Sequence, residues 1–352
     1  MKKINWIPSK NIDAILINNL LENSIKDNQF TNYGPNVKLL ESIIKTDFHI
    51  EDNKDVIVVS NASHAIQCLA AGIEYDNKNK IKWATQSFTF PPSAQGYLDD
   101  VKIVDIDLDG GLNLEEIDNT IDGIIVTNIF GNIVDIDKYI NFCEENNKYL
   151  IFDNAATSYT FYKNKNCLNY GIGTVISFHH TKPIGFGEGG AIIVNKKYSD
   201  TIRKLINFGI SLEDNSYFSR YGNNFKMSDI SAIFIIQYLK NSLDTIIKKH
   251  TELYNYFESK IKDLNIKTFR LFKSYHDKDK ILVSCFAIIF NEYNDEIALK
   301  LNENNIFCRK YYYPLENTKN SMELYNKILC ISCTKDLTFE DIDYMFDILV
   351  LY

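Results

Sequence analysis

The segment from Ile176 to Gly190 holds the residues best placed to do chemistry. Apolar residues lie on both sides of Lys182, and a glycine-rich stretch follows it. An amine held against a flat ligand and partly removed from water can form a Schiff base with a carbonyl group. The pattern around Lys182 is therefore typical of a lysine that carries a carbonyl cofactor.

The same segment also matches a dinucleotide-binding fingerprint, since Gly185, Gly187 and Gly190 have the spacing G-x-G-x-x-G. That fingerprint must follow a strand and open a helix. The residues at 191–195 are instead Ala-Ile-Ile-Val-Asn, which predict a strand. The glycines are better explained as a tight turn beside a ligand, and a nicotinamide oxidoreductase is the weaker alternative.

Composition narrows the class of protein. The 352 residues are 45% hydrophobic and 24% charged, with a net charge of −8. These values indicate a globular protein with a large and a smaller domain, and the acidic balance argues against a nucleic-acid partner. No apolar run approaches membrane-spanning length and no signal peptide is visible, so we expect a cytoplasmic protein without a membrane partner.

The cysteines and histidines suggest neither disulfides nor a metal. The seven cysteines are scattered and odd in number, which favours reduced thiols. Cys330 and Cys333 form a CxxC, but they lie in a strand-like run where positions three apart face opposite sides. The six histidines show no HxxH or HExxH spacing. We therefore predict no metal site.

The order of elements predicts an α/β fold. Apolar strands alternate with helical patterns, which is the sign of a mostly parallel sheet with crossover helices. The last two strands have no helix between them, which indicates a locally antiparallel part. The seven predicted strands are Val56–Val59, Ile81–Ala84, Val101–Val104, Ile124–Thr127, Tyr149–Phe152, Val175–Phe178 and Ala191–Val194. Helices are expected at 11–28, after Pro35, after Asn61, after Pro91, from Asp135 and at 198–207.

The rest of the chain predicts a second, smaller domain. A nearly unbroken helix is expected from Met227 to Lys260, and long helices of this kind often connect two domains. Strands at 281–289 and 328–332 and helices at 295–302 and 339–351 then give an α+β pattern. We place the large domain at residues 1–240 and the small domain at 241–352.

Two polar groups stand at predicted strand ends, where open α/β sheets bind ligands. Ser63 lies in a turn that opens a helix and could hold a phosphate, although a plain helix cap explains it equally well. Asp153 ends an apolar strand. Its carboxylate would suit a buried cation such as a protonated pyridine nitrogen, or it could cap or bridge locally.

Ordered motifs over the whole length resemble the DegT/DnrJ/StrS family of pyridoxal-phosphate (PLP) enzymes, the nucleotide-sugar aminotransferases with the aspartate-aminotransferase fold, fold type I. The matching stations are Thr31–Pro35, Asn61–Ser63, Ser87–Phe90, Val104–Asp107, Phe130–Gly131 with Asp135, Asp153–Ala156, Ser177–Gly190 and Asn223–Asp229.

The resemblance implies a role for each matching residue. Lys182 would form the Schiff base with PLP and then act as general acid and base, while Asp153 would keep the pyridine nitrogen protonated. Phe90 would stack on the ring. Ala62, Ser63 and Ser177 would hold the phosphate, and Asn224 would reach it from a neighbouring subunit. The implied unit is a homodimer with shared active sites.

The chain departs from the family pattern at three positions. Ala62-Ser63 replaces Gly-Thr in the phosphate loop, which keeps the N–H groups and a hydroxyl. Ala156 stands near the cofactor where the family often has Gln or His. Lys226 replaces an Arg, which keeps the charge but loses the bidentate fork. These changes affect ligand detail and not the reaction class.

The resemblance also narrows the reaction. The family branch that dehydrates sugars has histidine in place of the lysine, and Lys182 argues against it. Ser177-Phe178-His179 followed by Glu-Gly-Gly favours amination at C-4 of a nucleotide-linked 4-keto-6-deoxy sugar, with L-glutamate as donor. His179 and Tyr313 could contact the substrate, although a surface His and a packed Tyr are the plainer interpretations. Amination at C-3 and a non-catalytic PLP-binding regulator stay open as alternatives.

Overall fold

The computed structural model describes residues 3–210, 221–293 and 295–351. The strands in that part of the chain are β1 Lys54–Val59, β2 Trp83–Gln86, β3 Lys102–Val104, β4 Gly123–Thr127, β5 Tyr149–Asp153, β6 Phe161–Tyr162, β7 Lys165–Asn166, β8 Gly173–Ser177, β9 Gly190–Asn195, β10 Phe269–Leu271, β11 Cys285–Phe290, β12 Cys308–Arg309 and β13 Ile328–Ser332. The helices are α1 Ala14–Asp27, α2 Pro35–Asp47, α3 Ala62–Asn77, α4 Ile136–Glu145, α5 Ser199–Leu205, α6 Asp229–Asp263, α7 Asp295–Glu303, α8 Lys319–Lys327 and α9 Phe339–Leu349.

Seven strands form the main sheet in the order β1-β9-β8-β5-β4-β2-β3. All neighbours are parallel except β9, which pairs antiparallel with both β1 and β8. Every residue of β4 and of β8 is buried, as expected for strands covered on both faces by helices. The mostly parallel seven-stranded sheet predicted from the sequence is therefore confirmed.

The segment after Pro91 differs from its prediction. It forms two short 3₁₀ turns, Pro91–Ala94 and Gly96–Leu98, instead of an α-helix. Gly96 has φ +61°, a left-handed conformation that interrupts any helix between the two turns. The segment is thereby kept close to the end of β5, where Ser93 contacts Asp153.

A second sheet of four antiparallel strands, in the order β10-β11-β13-β12, belongs to the C-terminal part. Helix α9 begins with the predicted capping arrangement, because Thr338 Oγ1 accepts from Asp341 N at 3.2 Å and the Asp341 carboxylate accepts from Thr338 N at 2.9 Å. The small α+β unit is therefore present as expected.

Helix α6 joins the two units. Leu243 and Ile246 belong to the core of the large sheet, while Leu253 and Phe257 belong to the core of the small sheet. The predicted boundary between residues 240 and 241 falls inside this 35-residue helix. Both cores share α6, and the division at that residue stays a prediction.

Two general features bear on function. All seven cysteines are free and buried. Across the described ranges, no helix has the length and apolar character needed to cross a membrane.

Candidate active site

A cavity of about 560 Å³ lies where the main sheet presents the carboxyl ends of its central strands. Thr127 ends β4, Asp153 ends β5 and Ser177 ends β8, and all three line the cavity. The first residues of α3 close another side. Open α/β sheets bind ligands at this edge, because parallel strands gather their loops there.

The loop between β8 and β9 carries Lys182 into the cavity. Lys182 N donates to His179 O at 2.8 Å, and Gly185 N donates to Lys182 O at 3.0 Å, so the lysine sits in a tight turn. Two further bonds close the loop, from Phe178 N to Gly189 O and from His180 N to Gly187 O, both at 2.8 Å. Gly187 has φ +67°, which an L side chain rarely adopts.

Burial moves the pKa values of the two central groups in opposite directions. Burial lowers the pKa of the Lys182 amine, with Asp153 opposing that change through its charge. Burial likewise raises the pKa of the Asp153 carboxyl, opposed by hydrogen bonds from Ala155 N at 2.9 Å and Ser93 Oγ at 3.2 Å. The site therefore holds an amine poised toward its neutral form and a carboxylate that a further buried cation would stabilise.

The amino end of α3 forms the opposite wall. Asn61 caps the helix by accepting from His64 N at 2.9 Å, and Asn61, Ala62 and Ser63 face the cavity. The start of β9 packs directly against this end, since a Cβ on Gly190 would lie 2.5 Å from the Asn61 carbonyl carbon. A helix amino end with free N–H groups and a hydroxyl suits a phosphate.

The structure brings most of the predicted site residues together. Ala62, Ser63, Phe90, Asp153, Ala156, Ser177, His179 and Lys182 all line the one cavity. Phe90 is 56% exposed and its ring lies 5.8 Å from that of Tyr312. His179 Nε2 lies 3.4 Å from Glu188 Oε1 at the edge of the cavity.

Two predicted residues lie outside the lining of this cavity. Tyr313 is 61% exposed, its ring packs edge-on against Tyr325, and its neighbours Tyr311 and Tyr312 line the cavity instead. Asn224 is exposed, with its N–H donating to Asn223 Oδ1 at 2.7 Å. Its predicted role is toward the site of a neighbouring subunit, and that role stays a prediction.

Further cavity residues come from parts of the chain that the sequence did not single out. They are Trp6 before α1, Ser284 and Cys285 at the start of β11, Arg309 in β12, and Tyr311 and Tyr312 after it. The run of three tyrosines at 311–313 could have indicated from the sequence that this segment lines the cavity. Trp6 carried no such signal, because its place depends on how the amino-terminal segment folds back.

That segment, residues 4–10, is called the amino-terminal strap. At one end Ile4 forms a bridge with Ile306, and Ser332 Oγ donates to Asn5 O at 2.7 Å. At the other end Lys10 Nζ donates to the carbonyls of Lys182, at 3.1 Å, and Gly185. The strap thus connects the small sheet to the loop that carries the cavity amine.

Known proteins resemble this chain over most of its length. The fold is that of the PseC aminotransferase of Helicobacter pylori, with a TM-score of 0.81 and 18% identity over 99% of each chain. Among curated relatives, the dTDP-4-amino-4,6-dideoxy-D-glucose transaminase of Shigella dysenteriae is 26% identical over 91% of each chain. The UDP-4-amino-4,6-dideoxy-N-acetyl-beta-L-altrosamine transaminase of Campylobacter jejuni is 25% identical over 84% of this chain and 85% of its own.

The sequence profile of the DegT/DnrJ/EryC1/StrS aminotransferase family matches residues 12–350, so the chain belongs to that family. The predicted family, the enzyme class and the fold type are confirmed, and the cofactor of the class is PLP. The cavity fits this cofactor. It offers a helix amino end for a phosphate, a buried carboxylate for a cationic ring nitrogen, and an amine for a carbonyl.

Proposed function

We propose that the protein transfers an amino group from an amino acid, L-glutamate as the resemblance implies, to the C-4 keto group of a nucleotide-linked 4-keto-6-deoxy sugar. The observation that carries the proposal is the meeting of Lys182, Asp153 and the amino end of α3 in one cavity. The names of the two curated relatives, both transaminases of 4-amino-4,6-dideoxy sugars, support C-4 over C-3.

The side chains have separate tasks in this reaction. PLP, when bound, supplies the carbonyl that takes the amine and the ring that accepts electrons. Lys182 would hold the cofactor and, once free, would move a proton between the reacting carbons, which requires the neutral amine that its lowered pKa favours. Asp153 would stabilise the cationic ring nitrogen, and Phe90 would pack against the ring. Ala62, Ser63 and Ser177 would hold the phosphate.

The proposal extends to a homodimer with shared sites. Asn224 is exposed and lies outside the cavity of its own chain, so it is free to serve a second copy. Lys226 stands nearby, with its Nζ bonded to Asn207 Oδ1 at 2.8 Å. In a dimer, Asn224 would complete the phosphate site of the partner.

Absorption spectroscopy tests the first half of the reaction. We expect purified protein with PLP to show a visible band that moves to the shorter wavelength of pyridoxamine phosphate when L-glutamate is added. Adding a 4-keto-6-deoxy sugar nucleotide should then restore the first band. A 3-keto sugar nucleotide serves as the matched comparison, and faster recovery with it would contradict C-4 specificity.

Lys182→Ala provides the second test. The variant should bind PLP weakly and show no turnover, because the amine that holds the cofactor and moves the proton is gone. Turnover near the wild-type rate would refute the role of Lys182. A wild-type protein that takes up PLP but ignores every amino donor would point to the non-catalytic alternative.

A further inference from the structure

The outer wall of the cavity carries a cation that the cofactor does not need. Arg309, at the end of β12, is exposed at the cavity edge. Its guanidinium carbon lies 5.3 Å from the centre of the Trp6 ring and 5.7 Å from that of Tyr311. The two rings meet edge to face at 5.8 Å, and Arg309 Nη1 donates to Tyr311 Oη. Two aromatic residues therefore hold the guanidinium in place.

Arg309 differs from Arg203, which has a structural role. Arg203 is partly buried and paired with Glu41 at 3.0 Å, with a further bond to Val56 O at 3.2 Å. Over residues 3–210, 221–293 and 295–351, no carboxylate lies within salt-bridge distance of Arg309. A guanidinium that is held by aromatic rings but has no anionic partner is ready to bind an anion.

We propose that Arg309, supported by Trp6 and Tyr311, binds the diphosphate of the sugar nucleotide. The proposal rests on the proposed function, and it names the part of the substrate that this wall recognises. It also explains why the strap brings an aromatic residue to the cavity edge.

The position of Arg309 favours the diphosphate over the carboxylate of the amino donor. The α-carboxylate of an amino acid lies two bonds from its reacting nitrogen, so its partner must stand beside the enclosed Lys182. In a pyranose, C-4 lies across the ring from C-1. A diphosphate on C-1 therefore points away from Lys182 toward the exposed edge, where Arg309 lies.

Binding measurements test the proposal without relying on turnover. The PLP-loaded enzyme is titrated calorimetrically with thymidine, uridine and guanosine diphosphate, which share only the diphosphate and a pentose. Arg309→Met should weaken the binding of all three nucleotides by a similar factor of about 10- to 100-fold, as expected for losing a charge-assisted hydrogen bond. The affinities of Arg309→Lys should lie between those of wild type and Arg309→Met, because lysine keeps the charge and loses the bidentate fork.

A neighbouring residue supplies the matched control. Lys310 is the next residue, but its Nζ donates to Asn326 O at 3.2 Å and lies 4.0 Å from the Tyr293 ring centre, outside the cavity lining. Lys310→Met removes the same charge and should bind all three ligands like wild type. Conversion by L-glutamate, followed by the PLP spectrum, should fall by a smaller factor in Arg309→Met than nucleotide binding does, because that step uses no diphosphate.

Four other results would overturn the proposed diphosphate site. Equal binding by wild type and Arg309→Met, or an equal loss in Lys310→Met, would overturn the site. So would a loss of glutamate conversion in Arg309→Met with nucleotide binding intact, which would assign Arg309 to the donor carboxylate. If wild type itself binds none of the three nucleotides, the proposed substrate class fails together with this site.

Discussion

Asp153 and Lys182 line the same cavity, and burial shifts the pKa of each group toward favouring its neutral form. A carboxyl with a raised pKa and an amine with a lowered pKa are costly in a folded protein unless a ligand uses them. Ser93 and Ala155 fix the carboxylate through one hydrogen bond each. At the residue scale, the buried Asp153 carboxylate therefore favours binding of a cation and does not stabilise the folded protein.

Replacing Asp153 tests that interpretation. Asp153→Asn keeps the size and can still accept from Ala155 N, but it cannot stabilise a cationic ring nitrogen. We expect kcat to fall by about 100-fold or more, with PLP still bound through the phosphate site and Lys182. Steady-state kinetics together with the absorption spectrum measure both effects.

Ser93→Ala is the control for this change, because it removes one hydrogen bond to Asp153 and leaves the charge. Its kcat should fall by less than about tenfold. If both variants lose activity equally, the orientation of the carboxylate matters and its charge does not.

The amino-terminal strap shows how one element sets the position of another. Lys10 reaches the carbonyls of Lys182 and Gly185, and its Nζ lies 4.7 Å from the Tyr238 ring centre. Tyr238 Oη in turn donates to Pro183 O at 3.2 Å. The loop is therefore held from behind by α6 and by the strap together.

Removing the Lys10 amine should loosen this loop. Lys10→Met keeps most of the apolar stem and loses two hydrogen bonds, so we expect a loss of about 1–2 kcal/mol in unfolding free energy. PLP affinity should fall as well, because the loop that carries Lys182 becomes less ordered. Urea unfolding and PLP titration measure the two effects. Unchanged values for both would show that the strap does not support the loop.

The pH dependence of the same variant has a definite sign. Burial and the charge of Lys335 lower the pKa of Lys10 to about 7, from an ordinary value of 10.5. Between those two values the unfolded chain binds a proton that the folded chain does not, so this group makes the folded state more stable as pH rises. The unfolding free energy of wild type relative to Lys10→Met should therefore increase from pH 7 toward pH 10. A constant difference over that range would contradict the lowered pKa.

Strand patterns in the sequence were sufficient to predict the large sheet, and motif order was sufficient to predict most of the cavity. Continuous apolar runs such as β4 identify buried parallel strands directly. The wall formed by Trp6, Arg309 and Tyr311 was not predicted, because those residues meet only through the strap and β12, far apart in sequence. The 3₁₀ turns after Pro91 were missed because Gly96 outweighs the local helical pattern.

At the scale of the whole molecule, α6 is shared by both hydrophobic cores. Phe257 stacks on Phe286 at 4.3 Å between ring centres in the core of the small sheet. Ile236, seven residues after the helix begins, lies in the core of the large sheet. A continuous helix fixed in both cores should make their unfolding cooperative.

The two tryptophans allow a test of cooperativity. Trp83 lies in β2 of the large sheet, and Trp6 lies in the strap beside the small sheet. Single-tryptophan variants, Trp6→Phe and Trp83→Phe, should unfold in denaturant at the same midpoint. Adding Phe257→Ala should cost about 3–5 kcal/mol and lower both midpoints together.

The exposed α6 residue Lys240 gives the control, since Lys240→Ala should leave both midpoints nearly unchanged. A shift confined to the Trp6 signal after Phe257→Ala would show instead that the small unit unfolds alone. That outcome would favour two separate domains over one cooperative body.

Because all seven cysteines are buried, the rates at which their thiols react report how often the structure around them opens. A thiol reagent added to the native protein can modify a buried sulfur only during the moments when that sulfur meets solvent. Cys285 alone among the seven lines the cavity, whereas the other six lie within the packed interior or its margins. The labelling rate at Cys285 therefore reports exposure of the cavity wall, and the rates at the other six report opening of the structure around them. One chemical experiment on the unmodified chain can thus time the two processes separately.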